Sequence, residues 1–254
     1  MTSGTDRDDL RRILLGELEY VELHVSGKTS LAGSDLTDPG VMDWSATASI
    51  YVLCEDDTPG SEPDRAWQAA EGIALSTTNR PGGEGLDLTI LEANGITIDL
   101  AQVEDVFDAL DARSQDDAHF IPLFGARDQF GFVELAEELE DTLEPGGTRV
   151  VILDRVRLAP AWRGLGGIGR LLTARLLRWV CDEPRIVAVH PFPIDLDGDQ
   201  RRDDEVFVHA RHQVRRTWAS LGFEPFTDDL WIMDPHSSAH EKAVADISQR
   251  LGLD

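Results

Sequence analysis

Residues 162–172 read WRGLGGIGRLL, and Gly164, Gly166 and Gly169 spell G-x-G-x-x-G between Arg163 and Arg170. Glycine lacks a Cβ, so its amide can approach a bulky anion and its backbone can take positive φ. A helix opening after such a loop adds unpaired N–H groups and a partial positive charge. Hydrogen bonds to charged groups contribute roughly 1.5–3 kcal/mol each, so several would hold a diphosphate without contacting any base. The plainer alternative is a glycine-rich turn that only packs a helix against a sheet.

A dinucleotide-binding loop of this spelling follows its strand directly. It is answered by an acidic residue about 20 positions later, at the end of the next strand. Here Ala159-Pro160-Ala161-Trp162 and Arg163 intervene, the next strand ends in Val189-His190, and Asp195 comes only after two prolines. About 85 residues follow Gly169, too few strands for a doubly wound sheet. NAD and FAD are therefore disfavoured.

The stretch LDRVRLAPAWRGLGGIGRLLTARLLRWV, from Leu153 to Val180, resembles the acetyl-CoA-binding segment of the Gcn5-related N-acetyltransferase superfamily. That family has a long strand, a short Pro-containing step, then Arg or Gln, two residues, Gly, one residue, and Gly or Ala at the opening of a helix. A second segment, RRTWASLGFEPF, resembles the family's helix that ends in an aromatic, three residues and Gly-Phe. The two lie about 55 residues apart with a strand between them, and the match spans residues 150 to about 234. Two departures stand out. Ile168 occupies the second Gly or Ala position, so the loop is one residue longer, with Gly169 in the displaced role. Trp218 stands where the family often has a Tyr that protonates the leaving thiolate, and an indole cannot do that work near neutral pH.

The resemblance implies a mixed α/β fold. Its central twisted mixed sheet is splayed at the acetyl-CoA strand, and a helical insertion precedes that strand. One such domain would cover 12–236: strands and loops over 12–100, the insertion over 101–145, and the acetyl-CoA-binding core over 146–236. A C-terminal helix would follow over 237–254. The implied activity is transfer of an acetyl group from acetyl-CoA, the co-substrate, to a primary amine of a small molecule or protein by direct attack. A catalytically reduced member of the fold, sensing CoA or serving as an interaction module, is the alternative that Trp218 motivates. The carrier would be held by backbone groups of Val156, Arg157 and Leu158, and by Arg163, Gly164, Leu165, Gly166, Gly167, Ile168, Gly169 and Arg170. The strand N–H groups would meet the developing oxyanion, where stabilisation lowers the barrier.

A lysine-like amine costs roughly 4.6 kcal/mol to deprotonate at neutral pH, so a base, a water chain or a desolvating pocket must assist. Asp154, on the central strand, and His190, at the end of its neighbour, are the candidate catalytic residues. Each has a structural alternative: Asp154 as a solvated or arginine-paired carboxylate, His190 as a strand cap before Pro191. His209 and His212 read as surface residues. Arg211, Arg215 and Arg216 could reach a nucleotide phosphate or pair with the abundant acids. Trp218 and Phe223 read as core.

Composition bounds the partners. The formal net charge is −25, which repels phosphate backbones and excludes nucleic-acid binding through a broad basic face. It mildly favours a cationic acceptor. Cys54 and Cys181 are the only cysteines, without metal-ligand spacing, so reduced thiols and no metal are expected. No apolar run approaches the roughly 18–20 residues of a membrane span, and the charged start lacks the apolar core of a signal peptide. The expectation is a cytoplasmic protein without membrane contact, and a homodimer is compatible with it.

The elements that must position the loop follow from periodicity. Alternation predicts strands over 19–25, with Val21, Leu23 and Val25 on one side, and over 47–54. Asn94-Gly95 between two alternating runs in LDLTILEANGITIDL predicts a tight hairpin turn. Val103, Val106, Phe107 and Leu110 form a helical stripe, as do Phe132, Leu135, Leu139 and Leu143. The second carries Glu134, Glu137, Glu138, Glu140 and Asp141 as a solvated face rather than a metal site. TRVVILDRVRLAP is a strand of about ten residues. RLLTARLLRWVC is a helix, RIVAVHPF a strand, DEVFVHARHQVRRTWASLGF a helix capped at Gly222, and LWIMDP a strand. Ser237 or Ser238 caps a last helix carrying Ala243, Val244, Ile247 and Leu251. Residues 26–45 and 55–65 read as loops.

Overall fold

The two continuous apolar runs Val150–Leu153 and Ile186–Val189 have the composition of strands covered on both faces. The computed structural model places them side by side at the centre of an eight-stranded sheet. It describes residues 12–28, 38–53, 72–79, 85–114, 117–143, 146–180, 182, 184–194, 204–227 and 229–253. Cys54, Cys181, Asp195, the loop at 55–65 and residues 29–37 of the expected loop at 26–45 lie outside these residues.

The strands are β1 (Glu22–Lys28), β2 (Val41–Leu53), β3 (Ser76–Asn79), β4 (Gly85–Asp99), β5 (Phe124–Arg127), β6 (Val133–Leu135), β7 (Arg149–Leu158), β8 (Ile186–Val189), β9 (Glu224–Pro225) and β10 (Trp231–Met233). The helices are α1 (Val106–Asp111), α2 (Glu137–Glu140), α3 (Ile168–Val180), α4 (Glu205–Ala219) and α5 (Ser238–Leu251). Sheet order is β1-β2-β4-β7-β8-β10-β9, with β3 also on β4, and β5-β6 forms a separate ribbon. Pairing is antiparallel except between β7 and β8, which run parallel with α3 in the crossover. The architecture is mixed α/β with a mostly antiparallel sheet.

Period-two alternation divides the core. Val151, Leu153, Val187 and Val189 join Leu171, Leu172, Leu176 and Ile247 on one side of the sheet. Val150, Ile152, Ile186 and Ala188 join Leu110, Phe120, Leu135 and Leu139, from the segment between β4 and β7, on the other. On α3, Leu172, Leu176 and Val180 are buried while Arg175 and Arg178 are exposed, as the periodicity predicts. Ser237 accepts from His240 N as the N-cap of α5, and Asp204 accepts from Val206 N as that of α4. Gly222 takes φ 92° just after α4. No helix among the described residues is long and apolar enough to cross a membrane.

The sheet corrects several expectations. No hairpin turn exists at Asn94-Gly95: β4 runs unbroken for 15 residues through both. The pair instead lies at a register shift, because Asn94 faces Arg155 while Gly95 faces Leu153. Asp154 is thus the extra residue of a β-bulge. Glycine is required at position 95 by contact rather than by φ, since a Cβ would come 2.0 Å from the Ile152 carbonyl and 2.5 Å from the Trp44 ring.

The helix expected through Phe132 shrinks to α2. Val133 and Leu135 are buried with Glu134 exposed between them, a period of two that makes β6. Phe132 itself is 48% exposed. Glu134, Glu137, Glu138, Glu140 and Asp141 are all exposed, and Glu140 Oε2 also accepts from the buried Arg185 at 2.8 Å. Phe107 likewise leaves the stripe of α1 and is 42% exposed, while Val106 and Leu110 are buried. At the N-terminal side, Glu19 and Tyr20 belong to a 3-10 turn, Glu17–Tyr20, so β1 begins only at Glu22. The loop expected over 26–45 is bounded by the end of β1 at Lys28 and the start of β2 at Val41.

Candidate functional site

β7 and β8 pair only from Val150↔Ile186 to Leu153↔Val189. Beyond that point β7 continues through Asp154–Leu158 with β4 on one edge and, among the described residues, no strand on the other. β8 gives way to His190-Pro191, and prolines cannot extend a ladder. The sheet therefore parts, and a cleft of about 840 Å³ fills the gap. It is lined by residues 153–158 of β7, by the glycine loop and the start of α3, by His190 and Phe192, and by one face of α4.

The loop is held from below. Trp162 is fully buried, and its Nε1 donates to the Ile73 carbonyl at 2.9 Å. Arg163 Nε donates back to the Leu158 carbonyl at 2.9 Å, closing the step after β7. Gly164, Gly166 and Gly167 then take φ of 76°, 78° and 112°, where a side chain is strained. A Cβ at Gly167 would stand 2.7 Å from the Arg170 guanidinium, and one at Gly166 would stand 3.1 Å from Leu251 Cδ2. Gly169 has a different task. Its φ is ordinary, but a Cβ there would lie 2.9 Å from Leu158 Cδ2, so glycine lets α3 press onto β7. At the start of α3, Leu171 N donates to the Gly167 carbonyl at 3.0 Å. The amides of 168–170 precede it and are the orphan donors of a helix start.

Every residue expected to hold the carrier lines this cleft except Leu165. The Leu165 side chain turns away and packs against the core. The donor set of loop amides, Arg163 and Arg170 suits a diphosphate, and the bare edge of 154–158 suits an extended, amide-bearing arm. Arg157 is also partnered in the sheet, 3.6 Å from Glu92, which faces it on β4.

The other end of the cleft holds the titratable groups. Asp154 and His190 both line it. Asn94 Nδ2 donates to Asp154 Oδ2 at 2.6 Å. The His190 ring lies 5.2 Å from that of His119 and 5.7 Å from that of Phe192, which in turn stands edge-on to Phe207 at 5.2 Å. His119 belongs to the 3-10 turn Asp117–Leu123, so the segment between β4 and β7 reaches this end of the cleft. Asp117 is 7% exposed. Burial raises its pKa above the usual aspartate value, and the nearby Asp154 adds to the rise. The Ser114 contact and Arg113, whose Nε lies 3.3 Å from the carboxylate, work against it. Arg113 is also bonded to Asp43, and these two acids hold its pKa up against burial.

Asp117 and His119 carried no signal in the sequence, and Asn94 carried only that of a turn. Each lies far along the chain from the loop and becomes relevant only through the sheet register. The arginines of α4 sort themselves. Arg211 and Arg215 both bond Asp229, whereas Arg216 lines the cleft. His209 and His212 are exposed. Phe223 is core, and Trp218 packs edge-on against it at 5.0 Å while also lining the cleft. Among the described residues there is no group of three His, Cys, Asp or Glu placed to hold a metal ion. No family model, curated protein or solved structure matched the chain in comparisons with known proteins.

Proposed function

We propose that the protein is an N-acetyltransferase of the Gcn5-related type that uses acetyl-CoA to acetylate a primary amine. The observation that carries this reading is the parting of β7 from β8 along the half of β7 that leads into the glycine loop. A bare strand edge, the glycine loop, Asp154 and His190 line one cleft, which supports an acyl arm on the edge, a diphosphate on the loop and proton transfer at the far end. The order β4-β7-β8-β10-β9, with its single parallel pair, supports the same reading.

Bound acetyl-CoA would supply an activated acyl group as its thioester. The chain's part is to orient and to move protons. Backbone N–H groups on the bare edge of 156–158 can polarise a carbonyl placed there, and such preorganised donors act where negative charge develops. Asp154, fixed by Asn94, and His190, flanked by His119, are placed to take the proton from an incoming ammonium. The carboxylate of Asp154 at this end favours a cationic acceptor.

A second reading rests on Trp218. Its indole lines the cleft where a phenol would serve as acid, so the fold would bind CoA as a sensor with little turnover. One experiment separates the two: incubation with acetyl-CoA and a panel of polyamines, amino acids and aminoglycosides, recording thiol release. Turnover on any amine supports the enzyme. Thermal stabilisation by CoA without turnover on the panel supports the sensor, and neither effect overturns both.

A further inference from the structure

Positive charge collects in the cleft, and besides Arg170, which the glycine loop shares, it comes from two further helices. Arg170 on α3, Arg216 on α4 and Arg250 on α5 all line it. The chain has 48 acidic residues against 23 Lys and Arg, so a carboxylate is rarely far from a cation. Several arginines elsewhere find one: Arg149 pairs with Asp99, Arg185 with Glu140 and Arg211 with Asp229. Among the described residues, Arg170, Arg216 and Arg250 have no carboxylate partner within ion-pair distance. Arg170 Nη1 donates to Ser220 Oγ at 2.6 Å, and Arg250 Nε donates to the Asp246 carbonyl at 3.0 Å. Both acceptors are neutral and leave the charge uncompensated.

The two guanidinium groups also feel each other. Burial lowers the pKa of Arg170, and the charge of Arg250 lowers it further. Arg250 is brought there by packing: the adjoining Leu251 leans on Gly166, and Ile247, one turn earlier, is core. Like charges held together by apolar contacts are relieved by an anion of high charge density. A phosphomonoester carries about −1.5 to −2 near neutral pH, more than either phosphorus of an internal diphosphate, and guanidinium groups bind it in bidentate fashion.

We propose that Arg170 and Arg250, with Arg216, form a phosphomonoester subsite beside the glycine loop that takes the ribose 3′-phosphate of coenzyme A. This rests on the acyl-CoA reading of the cleft. It adds a selectivity group from α5, outside the strand–loop–helix unit.

The test is calorimetric titration of the full chain with coenzyme A and with 3′-dephospho-coenzyme A. The wild type should bind coenzyme A about tenfold more tightly, the equivalent of one charge-assisted hydrogen bond. Arg250→Gln should bring the two affinities together by weakening coenzyme A alone, and Arg250→Lys should recover part of the difference. Equal binding of both ligands by the wild type overturns the subsite and leaves the acyl-carrier reading standing. Equal weakening of both by Arg250→Gln does the same. Binding of neither ligand by the folded wild type overturns both.

Discussion

Asn94 and Asp154 meet across the sheet at the one place where β4 and β7 fall out of step. The bulge gives Asp154 no facing residue, and the carboxamide at 2.6 Å fixes a carboxylate that the ladder would otherwise leave to solvent. This bond aims a candidate base into the cleft.

Removing that base should separate chemistry from binding. Asp154→Asn is expected to lower kcat/KM by about 10²–10⁴-fold, the range of general acid–base catalysis, while CoA-induced thermal stabilisation stays unchanged. Asn94→Ala should lower kcat by about tenfold through loss of orientation, equivalent to roughly 1.4 kcal/mol. Steady-state kinetics with the best amine of the panel reads both. An unchanged kcat in each variant would remove Asp154 from the mechanism.

The glycine loop is tested by adding bulk. Gly167→Val places a branched side chain against Arg170 in a backbone conformation that L residues rarely adopt. CoA at 100-fold over its Kd should stabilise the wild type by about 2.7 kcal/mol, and this increment should vanish in the variant. Retention of the full increment would show that the loop does not carry the ligand.

Asp117 makes a prediction about pH. Its folded pKa is raised above the ordinary value of 3.8, mainly by burial and further by Asp154. Between the unfolded and folded values the native state holds the proton more firmly, so stability falls as pH rises through that window. Above the folded value the buried charge is a standing cost. Asp117→Asn should therefore gain melting temperature relative to wild type as pH rises from about 4 to about 8. A difference that is flat with pH, read by calorimetry, would refute the assignment.

Gly95 tests the corrected reading of β4. Gly95→Ala forces a methyl into the Ile152 carbonyl and the Trp44 ring and should cost about 3 kcal/mol, measured by urea unfolding. A turn glycine would have lost less and could have been rescued by asparagine, which tolerates positive φ. Asparagine at this position should be worse than alanine.

Much of the architecture was legible because the signals were local. Pro160, the glycine run and the leucines of α3 lie within 20 residues, and their order alone located β7, the loop and the helix. Ser237 announced α5 in the same way. Asn94-Gly95 misled because the dipeptide reads identically as a tight turn or as a bulge partner, and the choice is made by β2 and β7 on either side. Phe132 misled because its segment satisfies a helical period and, at Val133 and Leu135, a strand period too. The acid–base end of the site could not be read. His119 reaches His190, and Asp117 nears Asp154, through a fold-back that leaves no trace in spacing, and Arg250 reaches the loop only through the packing of Leu251 and Ile247.

One feature of β7 governs how the site would behave in time. Its residues 150–153 are buried on both faces, and residues 154–158 emerge at the cleft directly afterwards. Amide deuteration should thus show uniformly slow exchange over 150–153 and, over 155–158, slow amides bonded to β4 alternating with fast amides that face the cleft. The ligand-binding edge is anchored to β4 along its whole length and open only on the cleft side, so an incoming arm would meet a stiff, preformed rail rather than one that must first be ordered.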